Sequence, residues 1–209
     1  MTAVRYVDDP EFVVPLPSDE MDDAARRDWA RQAVAATASR HGVDAVRSDL
    51  AIELAARVQA KIAEEGAAGA LLYAPSWGVW TAVRIAVSDR EPTPDEVEGF
   101  IRPPALLPPH VRTTPDLTVG RGVSSTVLVS ANPTLGAVRW LFVPPGRGVR
   151  IDMTPVAAPA LTAVASLTEV FLSTLRVEGV DGDRSAAFEP DRLVSPLDTE
   201  GRSWPEWAS

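Results

Sequence analysis

Between Leu117 and Val177 the chain reads as three strands separated by short turns and followed by one helix, and this order constrains the fold most. The predicted strands are Thr126–Ser130, Val138–Val143 and Val149–Thr154. Their connections are too short for a parallel return, which needs a crossover of about a dozen residues or more. The three strands must therefore pair as an antiparallel meander, with the apolar helix that ends near Val177 laid on one face.

The first half of the chain predicts a helical hairpin and another strand. Apolar residues at spacings of three and four predict one helix that starts near Ser18 or Asp19 and a second from Asp44 to Glu65. Gly42 stops the first helix, and Leu50 belongs to the apolar stripe of the second. Alternation over Val79–Val87 then indicates a half-buried strand, whereas the proline-rich segment 102–115 indicates an extended connection.

These elements predict a single α+β domain over residues 4–178, with an antiparallel sheet flanked by helices. Residues 179–209 have the polar composition of a mobile tail. Trp204 and Trp207 are the exceptions in that tail, since indoles are costly to leave in water and are preferred anchors at interfaces. They are the predicted partner-binding residues, although docking of the tail on its own domain is an equal alternative.

Four aromatic residues are predicted to lie in the core. Trp77 and Trp80 flank a turn, and Trp140 and Phe142 share one face of a predicted strand. This assignment leaves the two C-terminal tryptophans as the aromatic residues with a predicted role in binding.

Composition narrows the possible functions. Of 209 residues, 45% are hydrophobic and 23% charged, as in a globular domain. A net charge of -9 argues against binding to nucleic acid or to an anionic membrane. The chain has no cysteine and two histidines, so we expect no disulfide, metal or cofactor. No apolar run suits a membrane helix or a secretory signal, which predicts a cytoplasmic location.

One catalytic arrangement can be drawn from the residue types present. His110, Ser124 and Asp116 could form a hydrolytic triad, but triads are recognised by geometry and not by sequence. The glycine-rich stretch 120–125 lacks the Gly-Lys-Ser/Thr of a phosphate-binding loop and opens a strand instead of a helix. We interpret that stretch as a turn or bulge.

The order of elements resembles the Mog1/PsbP-like fold. The residues that carry the resemblance are Val149–Pro155, a strand that ends in a Thr-containing turn, and Glu169–Arg176, a helix that ends near a Thr-Leu pair. In pattern the resemblance spans residues 10–177. It implies an accessory or adaptor role, since many such domains bind proteins and carry no catalytic set.

The sequence therefore favours a cytoplasmic, cofactor-free protein-interaction module over an enzyme. Such a module could be an accessory factor or chaperone for another protein, for example a secreted one. The alternative is a hydrolase that uses His110 and a serine of the 120–125 loop. A second alternative is a small-ligand-binding domain with its pocket between the helical hairpin and the sheet.

Overall fold

The computed structural model describes residues 3–9 and 11–195, apart from the side chains of residues 45 and 46. Within this part of the chain the helices are α1 (Asp23–His41), α2 (Ala45–Glu65), α3 (Pro94–Ile101) and α4 (Ala158–Ser173). The strands are β1 (Val4–Arg5), β2 (Val13–Leu16), β3 (Ala68–Ala74), β4 (Val79–Ser88), β5 (His110–Thr113), β6 (Val123–Ala131), β7 (Thr134–Phe142), β8 (Gly148–Met153), β9 (Val156–Ala157) and β10 (Arg176–Val177). None of these helices combines the length and hydropathy needed to cross a bilayer.

An antiparallel sheet organises the molecule, in the order β2-β3-β4-β8-β7-β6-β5, and β9 also pairs with β7. The predicted meander is confirmed, because β6, β7 and β8 are consecutive antiparallel neighbours. Cross-strand pairing places Ser124 opposite Trp140, and Trp140 opposite Ile151. Opposite residues share a face of the sheet, so the register decides which side chains meet α4.

The two edge strands carry or follow prolines. β2 contains Pro15, and β5 emerges from the proline-rich segment at His110–Thr113. Proline cannot donate to a ladder and is tolerated at an edge. The segment predicted as a purely extended connection thus supplies a short edge strand.

Side-chain caps set the ends of the helical hairpin. The carboxylate of Asp22 accepts a hydrogen bond from the Ala25 amide at 2.8 Å, so α1 begins at Asp23, later than predicted. Asp44 caps α2 in the same way. Gly42 ends α1 with a φ of 62°, a left-handed conformation that favours glycine.

The buried face of α2 includes Ile62, which continues the predicted stripe, but it is otherwise turned towards the alanines beside that stripe. Its fully buried residues include Ala51, Ala55 and Gln59, whereas Leu50 is 63% exposed. Small alanines allow α1 and α2 to approach closely. The Gln59 amide donates to the carbonyl oxygens of Pro17 and Asp19, which holds this side of α2 against the start of the hairpin.

The two faces of the sheet are covered differently. On the first, here called the α4 face, Trp140, Phe142 and Ile151 are fully buried in one continuous cluster with α4. On the second, the hairpin face, α1 and α2 cover the β2–β4 side and α3 covers β6 and β7. Trp80 is half-buried on the hairpin face, whereas Trp77 is 48% exposed in the β3–β4 turn and is not a core residue.

Short segments tie the two ends of the described chain to the domain. β1 pairs with β10, and the Glu178 amide extends this clasp by donating to the Ala3 carbonyl oxygen. Residues 179–195, which were predicted to lie in the tail, pack against the domain, with Phe188 buried beside Val111. Residues 196–209, with Trp204 and Trp207, lie outside the described residues.

Candidate functional site

A pocket of about 440 Å³ lies between α4 and the β5 end of the sheet, on the α4 face. We call it the α4 pocket. Its lining residues come from the loop after β5, from β7 and from α4: Thr114, Pro115, Leu117, Trp140, Ser166, Glu169, Val170 and Ser173. Its volume lies within the roughly 300–1,000 Å³ typical of ligand sites.

The residues from α4 form a single stripe along the helix. Ser166, Glu169, Val170 and Ser173 are spaced by three, four and seven residues, which places them on one face. Val170 is 66% exposed at the pocket. The hydroxyls of Ser166 and Ser173 donate to carbonyl oxygens within α4. The stripe therefore offers one exposed apolar side chain, Val170, beside hydroxyl groups whose protons are already donated within α4.

Trp140 borders the pocket but presents no accessible surface to it. Its side chain lies on the central strand β7 and is fully buried. Its indole Nε1 has no hydrogen-bond partner among the described residues. A buried N–H without an acceptor costs stability, so the ring stabilises the fold through packing and not through hydrogen bonding.

An ion pair links α4 to the edge of the sheet beside the pocket. The guanidinium of Arg112, in β5, pairs with the Glu169 carboxylate. Its Nε also donates to the hydroxyl oxygen of Ser124 at 3.1 Å. Glu169 is consequently engaged with Arg112, and the rim of the pocket on this side is fixed by a bridge between α4 and β5.

The three residues proposed for a hydrolase all lie near this end of the sheet. Ser124 is buried opposite Arg112, His110 is exposed opposite Thr126, and Asp116 is exposed in the loop that lines the pocket. A general base must lie within about 2.6–3.2 Å of the group from which it takes a proton. Among the described residues neither His110 nor Asp116 makes a side-chain hydrogen bond, and Ser124 is bound to Arg112. The chain brings these residues to one region without linking them into a relay.

The glycine-rich stretch 120–125 closes a turn at Gly120 and enters β6 at Val123. Leu117 and Gly120 exchange backbone hydrogen bonds of 3.2 and 2.8 Å. Gly120 has a φ of 95°, and a Cβ there would lie 2.9 Å from the Gly182 carbonyl oxygen. Gly120 thus allows two backbone segments to approach closely at a tight turn.

A strip of charged residues divides the hairpin face. Arg84 pairs with Glu65 and with Asp152, and Asp152 also pairs with Arg139. Burial alone would lower the pKa of Arg84, but its hydrogen bonds and attraction to Asp152 and Glu65 outweigh that effect and raise it. The strip separates the hairpin cluster from the α3 cluster and satisfies its own charges.

Next to the strip, Glu96 belongs to the cap of α3. Hydrogen bonds from Arg90 and from the Thr93 amide lower the pKa of Glu96 to about 2 from the usual 4.5.

The described residues contain no group of three or more acidic or histidine side chains placed to hold a metal ion.

A second, larger groove lies on the outer surface of the helical hairpin. Its volume is about 610 Å³, and it carries Arg26, Arg27, Arg31 and Arg57 together with three carboxylates. Arg26 pairs with Asp23 in this groove. The mixed charge gives it no evident preference for one ligand, so the α4 pocket is the stronger candidate site.

The sequence reasoning missed the α4 pocket, although one signal for it was present. Glu169 and Val170 lie on the predicted closing helix, but the partner of Glu169 is Arg112, 57 residues away in the chain. Helical spacing indicates the stripe, whereas only the packing of α4 on β3, β4 and β7, with Glu169 within reach of Arg112, shows what faces it.

Comparisons of the chain with protein-family models, with curated proteins and with solved structures give no match.

Proposed function

We propose that this chain is a cytoplasmic protein-interaction module that takes an apolar side chain of a partner protein into the α4 pocket. The observation that carries the proposal is the exposed Val170 beside a concave surface built on the buried Trp140. Binding pockets are concave and lined mainly by apolar groups, and Val170 adds accessible apolar surface to this one. In this reading the module is an accessory factor or chaperone that works without a cofactor.

The polar groups at the pocket support binding over catalysis. Ser166 and Ser173 are bonded within α4, and Glu169 is held by Arg112. A hydrolase would need a nucleophile in contact with a base, and the Ser124 hydroxyl instead accepts from Arg112. The net charge of -9 also favours a protein partner over nucleic acid. The resemblance to Mog1/PsbP-like domains agrees with this role.

Photo-crosslinking tests the proposal directly. A photoreactive side chain at Ser173, in the full chain and in native lysate, should capture a discrete partner. The same group at Ser39, an exposed serine on α1, is the matched control and should not capture it. Val170→Asp should weaken capture by at least about tenfold, because an unpaired carboxylate would be buried against apolar surface.

Two results would contradict the interaction proposal. One is equal capture from Ser173 and Ser39. The other is loss of cellular function in both His110→Ala and Ser124→Ala with unchanged melting temperatures, which would favour the hydrolase.

A small-ligand-binding domain is the second candidate, favoured by the volume of the α4 pocket. Its pocket lies against α4 and not between the helical hairpin and the sheet, where the sequence reasoning placed it. Capture of no protein, together with a bound metabolite in the purified chain, would favour this alternative.

A further inference from the structure

Four exposed charged residues form one row along α2. They follow one another at intervals of four residues, which places them on one side of the helix, with two carboxylates first and two cations after them. They are Asp49, Glu53, Arg57 and Lys61. The first three line the groove on the outer surface of the helical hairpin. We call these four residues the α2 row.

No local effect accounts for the order of charges in the α2 row. Like charges four residues apart destabilise a helix, and two of the three intervals in the row join like charges. The helix dipole acts on the first and last turns, whereas the row begins and ends one turn inside α2. The side chains of Asp49, Glu53 and Arg57 make no ion pair or hydrogen bond among the described residues. Lys61 approaches Glu65, with Nζ 3.8 Å from a carboxylate oxygen. The described chain therefore leaves most of the row uncompensated.

The α2 row is complementary to itself. Reversing its direction and exchanging the signs gives the same order of charges. A two-fold axis pairs residue i of one copy with residue j of the other, and j with i. When two copies approach antiparallel with the middle of the row on the axis, Glu53 of each copy faces Arg57 of the other. Asp49 of each copy likewise faces Lys61 of the other.

The groove beside the row has a floor of small or half-buried apolar residues from α2. They are Ile52, Ala56 and Ala60. The axes of packed helices lie about 8–10 Å apart, and small side chains at the contact favour the shorter distance. With 19 and 21 residues, α1 and α2 are each about 30 Å long, and together they present a face about 20 Å wide. Two such faces bury about 1,200 Å² in total, at the lower end of the range for specific interfaces.

We propose that two copies of this chain associate hairpin against hairpin, through the α2 row and the groove beside it. The second copy is the occupant that the mixed charge of the groove fits, because an antiparallel copy presents the opposite sign at each position of the row. This proposal does not rest on the proposed function, since the hairpin and α4 cover opposite faces of the sheet. A dimer formed in this way leaves both α4 pockets accessible on its outer sides.

Sedimentation equilibrium of the full chain tests the dimer. The small interface predicts a dissociation constant of about 1–100 µM. Arg57→Glu combined with Lys61→Glu makes the row wholly acidic and should weaken the dimer by at least about tenfold. The matched control combines Arg121→Glu with Arg192→Glu, two surface arginines near β5, and changes the net charge equally. It should weaken the dimer much less.

The reciprocal variant sharpens the test. Asp49→Lys combined with Glu53→Lys makes the row wholly basic and should also weaken the dimer. An equal mixture of the acidic-row and basic-row variants should associate again, because opposite charges then meet along the whole row. The proposal would be overturned by a chain that stays monomeric up to about 1 mM, by a dimer that neither variant weakens, or by a mixture that stays monomeric.

A single thiol tests the position of the axis. The chain has no cysteine, so one introduced thiol can form a disulfide only between two chains. Ala56→Cys lies near the middle of the row, whereas Thr162→Cys is an exposed control on α4. Under mild oxidation the Ala56→Cys chains should cross-link at least about tenfold faster, in proportion to the dimer present. Equal rates for the two variants would refute the proposed contact.

Discussion

The two faces of the sheet are covered by different kinds of contact. On the α4 face one helix covers a continuous apolar layer that reaches from β2 to β7. On the hairpin face the strip of Arg84, Asp152 and Arg139 separates two apolar clusters. The apolar layer stabilises the fold through the apolar surface that it removes from water. The strip stabilises the fold through attraction between opposite charges.

This difference also explains where a binding pocket can form. A single helix crossing a wide apolar layer leaves apolar surface at its flank, and the α4 pocket lies there. On the hairpin face the gap between helices is filled by side chains that already pair with one another. The apolar face therefore leaves apolar surface accessible at the flank of α4, and the charged face leaves little.

The largest expected effect comes from truncating the centre of the α4 face. Trp140→Ala should lower the free energy of unfolding by about 3–5 kcal/mol, because it removes a fully buried ring and leaves a cavity. It removes no hydrogen bond among the described residues, since Nε1 has no partner there. Urea denaturation measures the change. Trp77→Ala, at a half-exposed turn, is the control and should cost about 1 kcal/mol or less. Similar losses of stability for Trp140→Ala and Trp77→Ala would contradict the contrast between the buried face and the exposed turn.

A smaller effect is expected from the charged strip. Asp152→Asn preserves the shape of the side chain but leaves Arg84 and Arg139 facing a neutral amide. The expected loss is about 1–2 kcal/mol, between the values typical of exposed and of buried ion pairs. Thermal denaturation at low and high salt would measure this loss of stability, and the loss should be smaller at high salt. Asp191→Asn, which removes an exposed partner of Arg121, should change stability little. An equal loss for Asp191→Asn would show that the strip gains nothing from partial burial.

The smallest effect is a shift in titration at the α3 cap. Glu96 should titrate near pH 2 in a carboxyl NMR titration, below its usual 4.5. Because the folded state lowers this pKa, the stabilisation is fully present above about pH 4.5 and is lost as the pH falls towards 2. Arg90→Gln should raise the pKa towards 4.5, although the Thr93 amide still donates. Arg102→Gln, which removes the partner of Glu98, should leave Glu96 unchanged. A midpoint that is the same in all three proteins would exclude Arg90 as the cause.

Local patterns predicted the α+β class, the meander and the helical hairpin. Short connections left antiparallel pairing as the only option, and Gly42 marked the end of α1. The orientation of α2 could not be predicted, because Leu50 and Ala51 fit neighbouring stripes and only contact with α1 decides which one is buried. The same limit hid the exposure of Trp77, which depends on where the β3–β4 turn projects.

The candidate site depended even more on long-range contacts. Ser124 was singled out for its hydroxyl, yet its environment is set by Arg112 on the next strand. The pocket requires α4 to pack on the sheet with Glu169 within reach of Arg112 in β5, and no local spacing reports that arrangement. Residue types alone therefore suggested a triad, whereas their placement favours a binding surface.

The clasp between β1 and β10 has a mechanical consequence. Val4 lies opposite Val177 and Arg5 opposite Arg176, so the incoming and outgoing chains leave the clasp at the same end. A load applied between Ala3 and Glu178 would break these bonds one after another and not all together. Resistance would next fall on Tyr6, whose hydroxyl donates to the Gly69 carbonyl oxygen and whose ring packs on Phe171 of α4. The N-terminal segment would thus yield under tension in two steps, a weak one at the clasp and a stronger one at the contact of Tyr6 with Gly69 and Phe171.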